Sequence, residues 1–220
     1  MNKLTNKQIL IPLVTLAMIC FMYFGPIPRT PFENIIISII IIIANYIEYK
    51  GKPFSALGFQ RAKFNTKNLL VFAPIVAFGL FVLYVFAIVP GIEMLTEVPI
   101  DYSSMKQLEG NPQVTIVWLL LVWATAGFGE EIIFRGYFMR QFIKFFGDRK
   151  ISLAINIIIV CAFFGYMHIQ QGITGQLVTA FVSALLCLIF YIRKYDLWFM
   201  IMIHGFFNTL GILSFYFGLA

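Results

Sequence analysis

The chain has 220 residues, of which 60% are hydrophobic and 12% charged, and its mean hydropathy is +0.88. A soluble globular domain carries roughly twice that charged share, so the composition excludes an ordinary soluble enzyme and indicates an integral membrane protein. The net charge is +6. The sequence has no long block of like charges and no basic motif interleaved with aromatic residues, which argues against a nucleic-acid partner.

Seven apolar segments follow one another along the chain, each long enough to cross a hydrocarbon core of about 30 Å as a helix. They do not alternate apolar and polar residues as barrel strands do, so we predict an all-α, polytopic transmembrane helix bundle of about seven spans. The Ile-rich run in the second segment is expected to face lipid. The predicted spans are residues 8–24, 33–49, 68–90, 113–134, 151–168, 173–192 and 196–217.

The segments that connect the predicted spans alternate in charge. The second connection is basic, the third (residues 91–113) is acidic, and basic residues return at 135–150 and 193–194. Because cytoplasmic loops carry the excess of Lys and Arg, we expect the N-terminus in the cytoplasm and the C-terminus outside. The expected location is a bacterial plasma membrane.

Three charged side chains stand close together in the fourth apolar segment: Glu130, Glu131 and Arg135. An ionisable side chain at mid-membrane costs on the order of 2.5–3.5 kcal/mol on the insertion scale, so these groups must be paired or solvated. Glu131 and Arg135 are four residues apart, which predicts an ion pair on one helix face. Glu130 lies about 100° away around an α-helix and has no cation of its own, which makes it a candidate general base.

Both histidines of the chain also fall in apolar segments. His168 ends the stretch FFGYMH, and His204 has Asn208 four residues later on the same helix face. Lipid cannot meet the hydrogen-bonding demand of a carboxylate, two imidazoles and an amide, so we expect them to converge inside the bundle. There the carboxylate could take a proton from water that an imidazole orients, while a His–Asn pair could donate to an oxyanion.

The same residues permit two other kinds of chemistry. Glu130, His168 and His204 could hold zinc, because two His and one Glu are familiar catalytic zinc ligands, although the usual H-E-x-x-H signature is absent. Alternatively, intramembrane Glu, His and Asn side chains build proton relays, as in a proton-coupled transporter. A non-enzymatic membrane immunity or scaffold protein is a third alternative.

Three motifs occur in order on successive apolar segments: E-E-x-x-x-R at 130–135, F-x-x-x-H at 164–168 and H-x-x-x-N at 204–208. In this pattern the chain resembles the CAAX protease and bacteriocin-processing family, the Abi or type II CAAX prenyl endopeptidase group of intramembrane proteases. The resemblance implies a helical membrane bundle that hydrolyses a peptide bond of a lipidated (CAAX-type) or membrane-anchored peptide.

The resemblance also implies roles for the matching residues. Glu130 and His168 would activate water, and His204 and Asn208 would stabilise the oxyanion or bind a metal. Structural support of the site would come from Glu131, Arg135 and Phe164. We favour glutamate-driven hydrolysis that requires no cofactor, with divalent zinc as the alternative. The expected partners are a membrane-associated peptide or protein substrate and membrane lipid.

One integral domain is expected, with two parts. Residues 1–112 would hold the N-terminal spans, a basic interfacial loop and an acidic loop, and residues 113–220 would form the catalytic transmembrane core. The helical stretch from Gln113 to Phe146 is too long for one crossing. We therefore expect it to break near Gly127, Gly129 or Gly136.

Overall fold

The computed structural model describes residues 4–26, 28, 30–50 and 52–219, and within them the secondary structure is helical, without a strand. The all-α fold class is therefore confirmed. Short 3₁₀ turns connect some of the helices. The helices are α1 (Asn6–Phe24), α2 (Glu33–Tyr49), α3 (Pro53–Leu57), α4 (Asn68–Thr96), α5 (Pro112–Phe146), α6 (Lys150–Tyr166), α7 (Gly172–Ile192) and α8 (Leu197–Tyr216).

Five of the described helices are long and apolar enough to cross a membrane: α1, α4, α5, α8 and α7 together with the turn before it (Ile169–Ile192). The chain is therefore a multi-pass integral membrane protein. Two further helices, α2 and α6, have 17 residues each and coincide with the other two predicted segments. The count of seven spans stays a prediction.

Helix α5 is continuous over 35 residues, so the expected break at one of its glycines is wrong. Its central part, Trp123–Met139, instead winds with i→i+5 hydrogen bonds. Wide turns of this kind are rare, mostly single, and frequent at functional sites, which makes a stretch of 17 residues unusual. The candidate motif of Glu130, Glu131 and Arg135 lies inside this stretch.

The glycines of α5 allow close contact between helices rather than a break. A Cβ atom on Gly129 would lie 2.9 Å from the Cβ of Asn34 in α2, and one on Gly136 would lie 3.0 Å from the side chain of Leu197 at the start of α8. A side chain at either position would force neighbouring atoms to shift. Helix α5 therefore packs tightly at both places.

Helix α5 packs against both α2 and α8, and a buried apolar cluster surrounds its motif. The other extensive helix contacts are α6 with α7, α8 with α4, and α1 with α2. Large apolar side chains on the outer faces remain exposed, as expected for a surface in contact with lipid.

The Ile-rich run of α2 was expected to face lipid, and it has one exposed face and one buried face. Ile36, Ile39 and Ile43 are exposed, whereas Ile37 and Ile41 are fully buried. The buried face belongs to the central apolar cluster, next to α5. A run of identical residues carries no periodicity from which such a buried face could be predicted.

Candidate active site

The predicted ion pair between Glu131 and Arg135 is confirmed. Arg135 Nη1 donates to Glu131 Oε1 at 3.0 Å, and both side chains are fully buried. Arg135 Nη2 also donates to the carbonyl and hydroxyl oxygens of Ser183 in α7, at 3.3 and 2.9 Å. The guanidinium carbon lies 5.1 Å from the ring centroid of Phe164, an attractive cation–π distance. The pair thus links α5, α6 and α7.

Glu131 has a second partner that the motif spacing does not predict. Its Oε1 atom also lies 2.8 Å from His204 Nδ1, so this carboxylate bonds both a guanidinium and an imidazole. A carboxylate accepts, so Nδ1 donates and carries the proton. His204 is therefore oriented by α5, with its other ring nitrogen, Nε2, turned away from Glu131.

Glu130 lies between an amide and an imidazole. Its Oε1 atom accepts from Asn34 Nδ2 at 3.2 Å, and its Oε2 atom lies 3.9 Å from His204 Nε2. The side chain of Glu130 is 16% exposed, whereas that of Glu131 is 0% exposed. Because i→i+5 winding has more residues per turn than an α-helix, consecutive side chains diverge by less than 100°, and both carboxylates reach one imidazole.

Two polar residues of the site were missed by sequence reasoning: Tyr23 of α1 and Asn34 of α2. The Tyr23 hydroxyl donates to Asn34 Oδ1 at 2.8 Å, and the same amide donates to Glu130. The available signal was the polar series Asn34, Ser38 and Asn45, which shares one face of α2 within an otherwise apolar run. Ser38 and Asn45 are both buried.

His168 lies in the turn directly after α6. Its Nδ1 atom is 2.8 Å from the carbonyl oxygen of Phe164, which can only accept, so Nδ1 carries the proton. In the neutral ring Nε2 is then free to accept. The ring of Phe164 packs on both histidines, with centroid distances of 4.8 Å to His168 and 6.3 Å to His204. Phe164 thus contacts every basic group of the motifs.

Glu130 and His168 line one cavity of about 220 Å³. Its walls come from α1, the connection before α2, α2 itself, α5 and the end of α6. Other lining residues include Tyr23, Asn34, Thr125, Phe134, Phe164 and Gln170. The cavity therefore has walls from residues 1–112 as well as from residues 113–220.

His204 and Asn208 are not among the residues that line this cavity. His204 is buried behind Glu130, and Asn208 follows one turn later on the same face of α8, half-buried. Within the described ranges the Asn208 side chain forms no hydrogen bond. The structure thus brings Glu130, Glu131, Arg135, His204 and Phe164 together, while Asn208 stands one turn apart with its amide available.

The predicted metal set does not assemble as ligands. Among residues 4–26, 28, 30–50 and 52–219, no group of three or more His, Cys, Asp or Glu side chains could hold a metal ion. Both ring nitrogens of His204 are turned toward carboxylates instead. Zinc binding by Glu130, His168 and His204 therefore stays a prediction.

The fold and the site define a class of protein: a multi-pass membrane protein with a polar cavity that holds a carboxylate and an imidazole. Residues 112–210 match the sequence profile of the family described as type II CAAX prenyl endopeptidase, Rce1-like. This part of the chain is a domain of that family, as its motifs predict, and the match covers slightly less than half of the sequence. Membership indicates an intramembrane protease with a peptide or protein substrate.

Searches of curated proteins and of solved structures give no match for this chain. The matched region contains α5 to α7 and most of α8. Helices α1 and α2 lie outside it, although Tyr23 and Asn34 contribute to the same cavity.

Proposed function

We propose that this protein is an intramembrane endopeptidase that hydrolyses a peptide bond of a lipidated (CAAX-type) or membrane-anchored peptide, with Glu130 as the base that activates water. The observation that carries the proposal is the position of Glu130 on the cavity wall, inside the family-matched region, with His168 on the same cavity and His204 behind. No other carboxylate of the motif fits this role, because Glu131 is fully buried and already bonded.

Water is activated on the cavity side of Glu130. The Oε2 atom takes a proton from a water molecule whose second contact is the free Nε2 of His168, and the hydroxide attacks the peptide carbonyl carbon. The separation of 3.9 Å between Glu130 Oε2 and His204 Nε2 is too long for a direct hydrogen bond, so this gap suits a water molecule or the reacting oxygen.

The negative charge on the tetrahedral oxygen needs donors. His204, with Nδ1 held by Glu131, presents Nε2 beside Glu130 Oε2, and the amide of Asn208 on the same helix face supplies a second N–H. Because neither residue lines the cavity, the oxyanion has to enter the space beside Glu130 Oε2 to reach them. When the intermediate collapses, the C–N bond breaks and Glu130 returns its proton to the leaving amine nitrogen. The new carboxylic acid then loses its proton to the amine product or to water, both products leave, and another water molecule enters the site.

The charge balance of the site supports donation by His204. Glu130 and Glu131 carry two negative charges and Arg135 one positive charge, so a neutral His204 leaves the group at −1. One further proton, on His204 Nε2, brings the net charge to zero, gives Nε2 an N–H to donate and leaves Glu130 Oε2 able to act as the base. A buried cluster with no net charge avoids most of the cost of an uncompensated ion.

The orientation in the membrane and the seven-span topology belong to the same proposal. They rest on the alternation of loop charges, with the N-terminus in the cytoplasm of a bacterial cell and the C-terminus outside. Cysteine-accessibility labelling of single cysteines in the acidic segment 97–111 and in the basic segment 61–67 tests this. Labelling of both segments from the same side would contradict the topology.

The direct test of the proposed function is cleavage of a farnesylated peptide that ends in a CAAX sequence by the purified protein in detergent. We expect Glu130→Gln to lower kcat by about 10²- to 10⁴-fold, the usual contribution of a general base. The matched control is Glu109→Gln, the same change at an exposed loop carboxylate. Full activity of a well-folded Glu130→Gln variant would refute the role of Glu130.

The alternative functions predict different results in the same material. A proton-coupled transporter would show pH-driven flux in proteoliposomes and no peptide cleavage. A non-enzymatic immunity or scaffold protein would keep its phenotype after alanine substitution of His168 and His204.

A further inference from the structure

Helices α1 and α2 supply a hydrogen-bonded chain that ends on the proposed catalytic carboxylate. Tyr23 donates to Asn34 Oδ1 at 2.8 Å, and Asn34 Nδ2 donates to Glu130 Oε1 at 3.2 Å. Tyr23 is buried, and both side chains lie on the cavity wall. Neither Tyr23 nor Asn34 belongs to the three motifs or to the matched residues 112–210.

Chemistry decides the orientation of the Asn34 amide. A carboxylate only accepts, so the nitrogen must face Glu130, since an oxygen in its place would repel Oε1. The amide oxygen then faces Tyr23, whose hydroxyl can donate to it. The hydrogen bonds to Tyr23 and to Glu130 both require the same orientation of the Asn34 amide, so the two bonds together fix it.

The backbone around Asn34 is also held against α5. Gly129, the residue before Glu130, is so close that an added Cβ would lie 3.2 Å from the carbonyl carbon and oxygen of Asn34. The Ser38 hydroxyl lies within hydrogen-bonding distance of two carbonyl oxygens, that of Asn34 at 2.7 Å and that of Gly129 at 3.2 Å. The backbones of α2 and α5 are thus in close contact next to Asn34 and Glu130, which restricts relative movement of the two residues.

We propose that Asn34, held by Tyr23, is a positioning residue that fixes the Glu130 carboxylate so that Oε2 faces the reacting water and His204. This rests on the proposed function, because it assigns the geometry of the same base. Without the amide, the Glu130 side chain can rotate about its terminal bonds, and a base displaced by about 1 Å loses on the order of 10² in rate. Helices α1 and α2 are therefore part of the active site.

The test measures kcat, KM and thermal stability with the farnesylated CAAX peptide. Asn34→Asp keeps the size of the side chain but replaces the donor with an acceptor. We expect kcat to fall about 10- to 100-fold, as for loss of a hydrogen bond to a charged group, with KM within about twofold of the wild type. Tyr23→Phe should lower kcat several-fold alone and add no further loss in the Asn34→Ala background.

The matched control is Asn45→Ala, another buried asparagine on the same face of α2, three turns away, whose amide nitrogen lies 3.5 Å from the carbonyl oxygen of Pro53. It should lower stability without changing kcat. Wild-type kcat in Asn34→Asp, or a full loss from Tyr23→Phe in the Asn34→Ala background, would overturn the positioning role. Glu130→Gln separates the two ideas: if it is inactive while Asn34→Asp is fully active, only the positioning role fails.

Discussion

Replacement of Arg135 by methionine should destabilise the protein strongly, because it leaves a buried carboxylate without its cation. Methionine keeps a flexible apolar stem over Phe164 and so preserves much of the packing. The Glu131 and Arg135 side chains are both 0% exposed and 3.0 Å apart, so water cannot replace the lost partner without opening the core. His204 still donates to Glu131, but one imidazole N–H does not replace the guanidinium.

The expected size of the effect follows from this burial. Removal of one partner of a buried ion pair costs about 3–5 kcal/mol. For a chain of this size, each kcal/mol shifts the melting temperature by about 2–4 °C, so Arg135→Met should melt roughly 6–20 °C below the wild type. Loss of the two bonds to Ser183 adds to the deficit.

The assay is a double-mutant cycle read by thermal unfolding of the detergent-purified protein, with the yield of monodisperse protein as a second readout. The cycle compares the wild type, Arg135→Met, Glu131→Gln and the double variant. Because glutamine carries no charge, the double variant should recover stability relative to Arg135→Met, with a coupling of about 0.5–3 kcal/mol. Additive losses, or an unchanged melting temperature in Arg135→Met, would refute the argument that the pair offsets a buried charge.

Three further predictions concern packing, pH and metal. Gly165→Ala should lower the free energy of unfolding by about 1–3 kcal/mol, because the added Cβ would lie 2.6 Å from the carbonyl oxygen of Gln176. The control Gly79→Ala, whose Cβ would have no atom within 4 Å, should be neutral or stabilising in thermal melts. Equal melting temperatures of the two variants would contradict this. Burial raises the pKa of Asp196, so its contribution to stability is greatest below about pH 4 and is lost as the pH rises through the raised pKa. Asp196→Asn keeps a helix-capping side chain and should flatten the decline in melting temperature as the pH rises above about 4. An unchanged pH profile would contradict the assignment. Peptide cleavage should persist after treatment with 1,10-phenanthroline, while a loss that zinc restores would favour the metal set.

Much of the candidate site was predictable from local spacing. The i,i+4 relation of Glu131 and Arg135 survives in the structure, because a separation of four residues keeps two side chains adjacent even in a widened helix. The convergence of Glu130 and His204 was also expected, because polar groups on separate spans have no partner in lipid. Only the roles of these residues in hydrolysis stay predictions.

The parts of the site that depend on helix winding and docking were not predictable. The expected break in α5 was wrong because its glycines allow α2 and α8 to approach, and the stretch adopts i→i+5 winding without interruption. That winding reduces the angle between the Glu130 and Glu131 side chains below the α-helical 100°, and both side chains face His204. Asn34 begins the Ile-rich run and shares a polar face of α2 with Ser38, but nothing in the sequence connects that face with Glu130.

The sequence by itself determined the membrane environment, the helical class, the family of residues 112–210 and the Glu131–Arg135 pair, because hydropathy, helix length and i,i+4 spacing are local properties. Only the tertiary structure decided what surrounds Glu130. Asn34 lies 96 residues away in the chain, and its contact with Glu130 depends on the close packing of α2 on Gly129. Local sequence patterns do not predict which helix faces pack together, because many apolar faces could pair. The complementary shapes of the folded helices decide which pairs form.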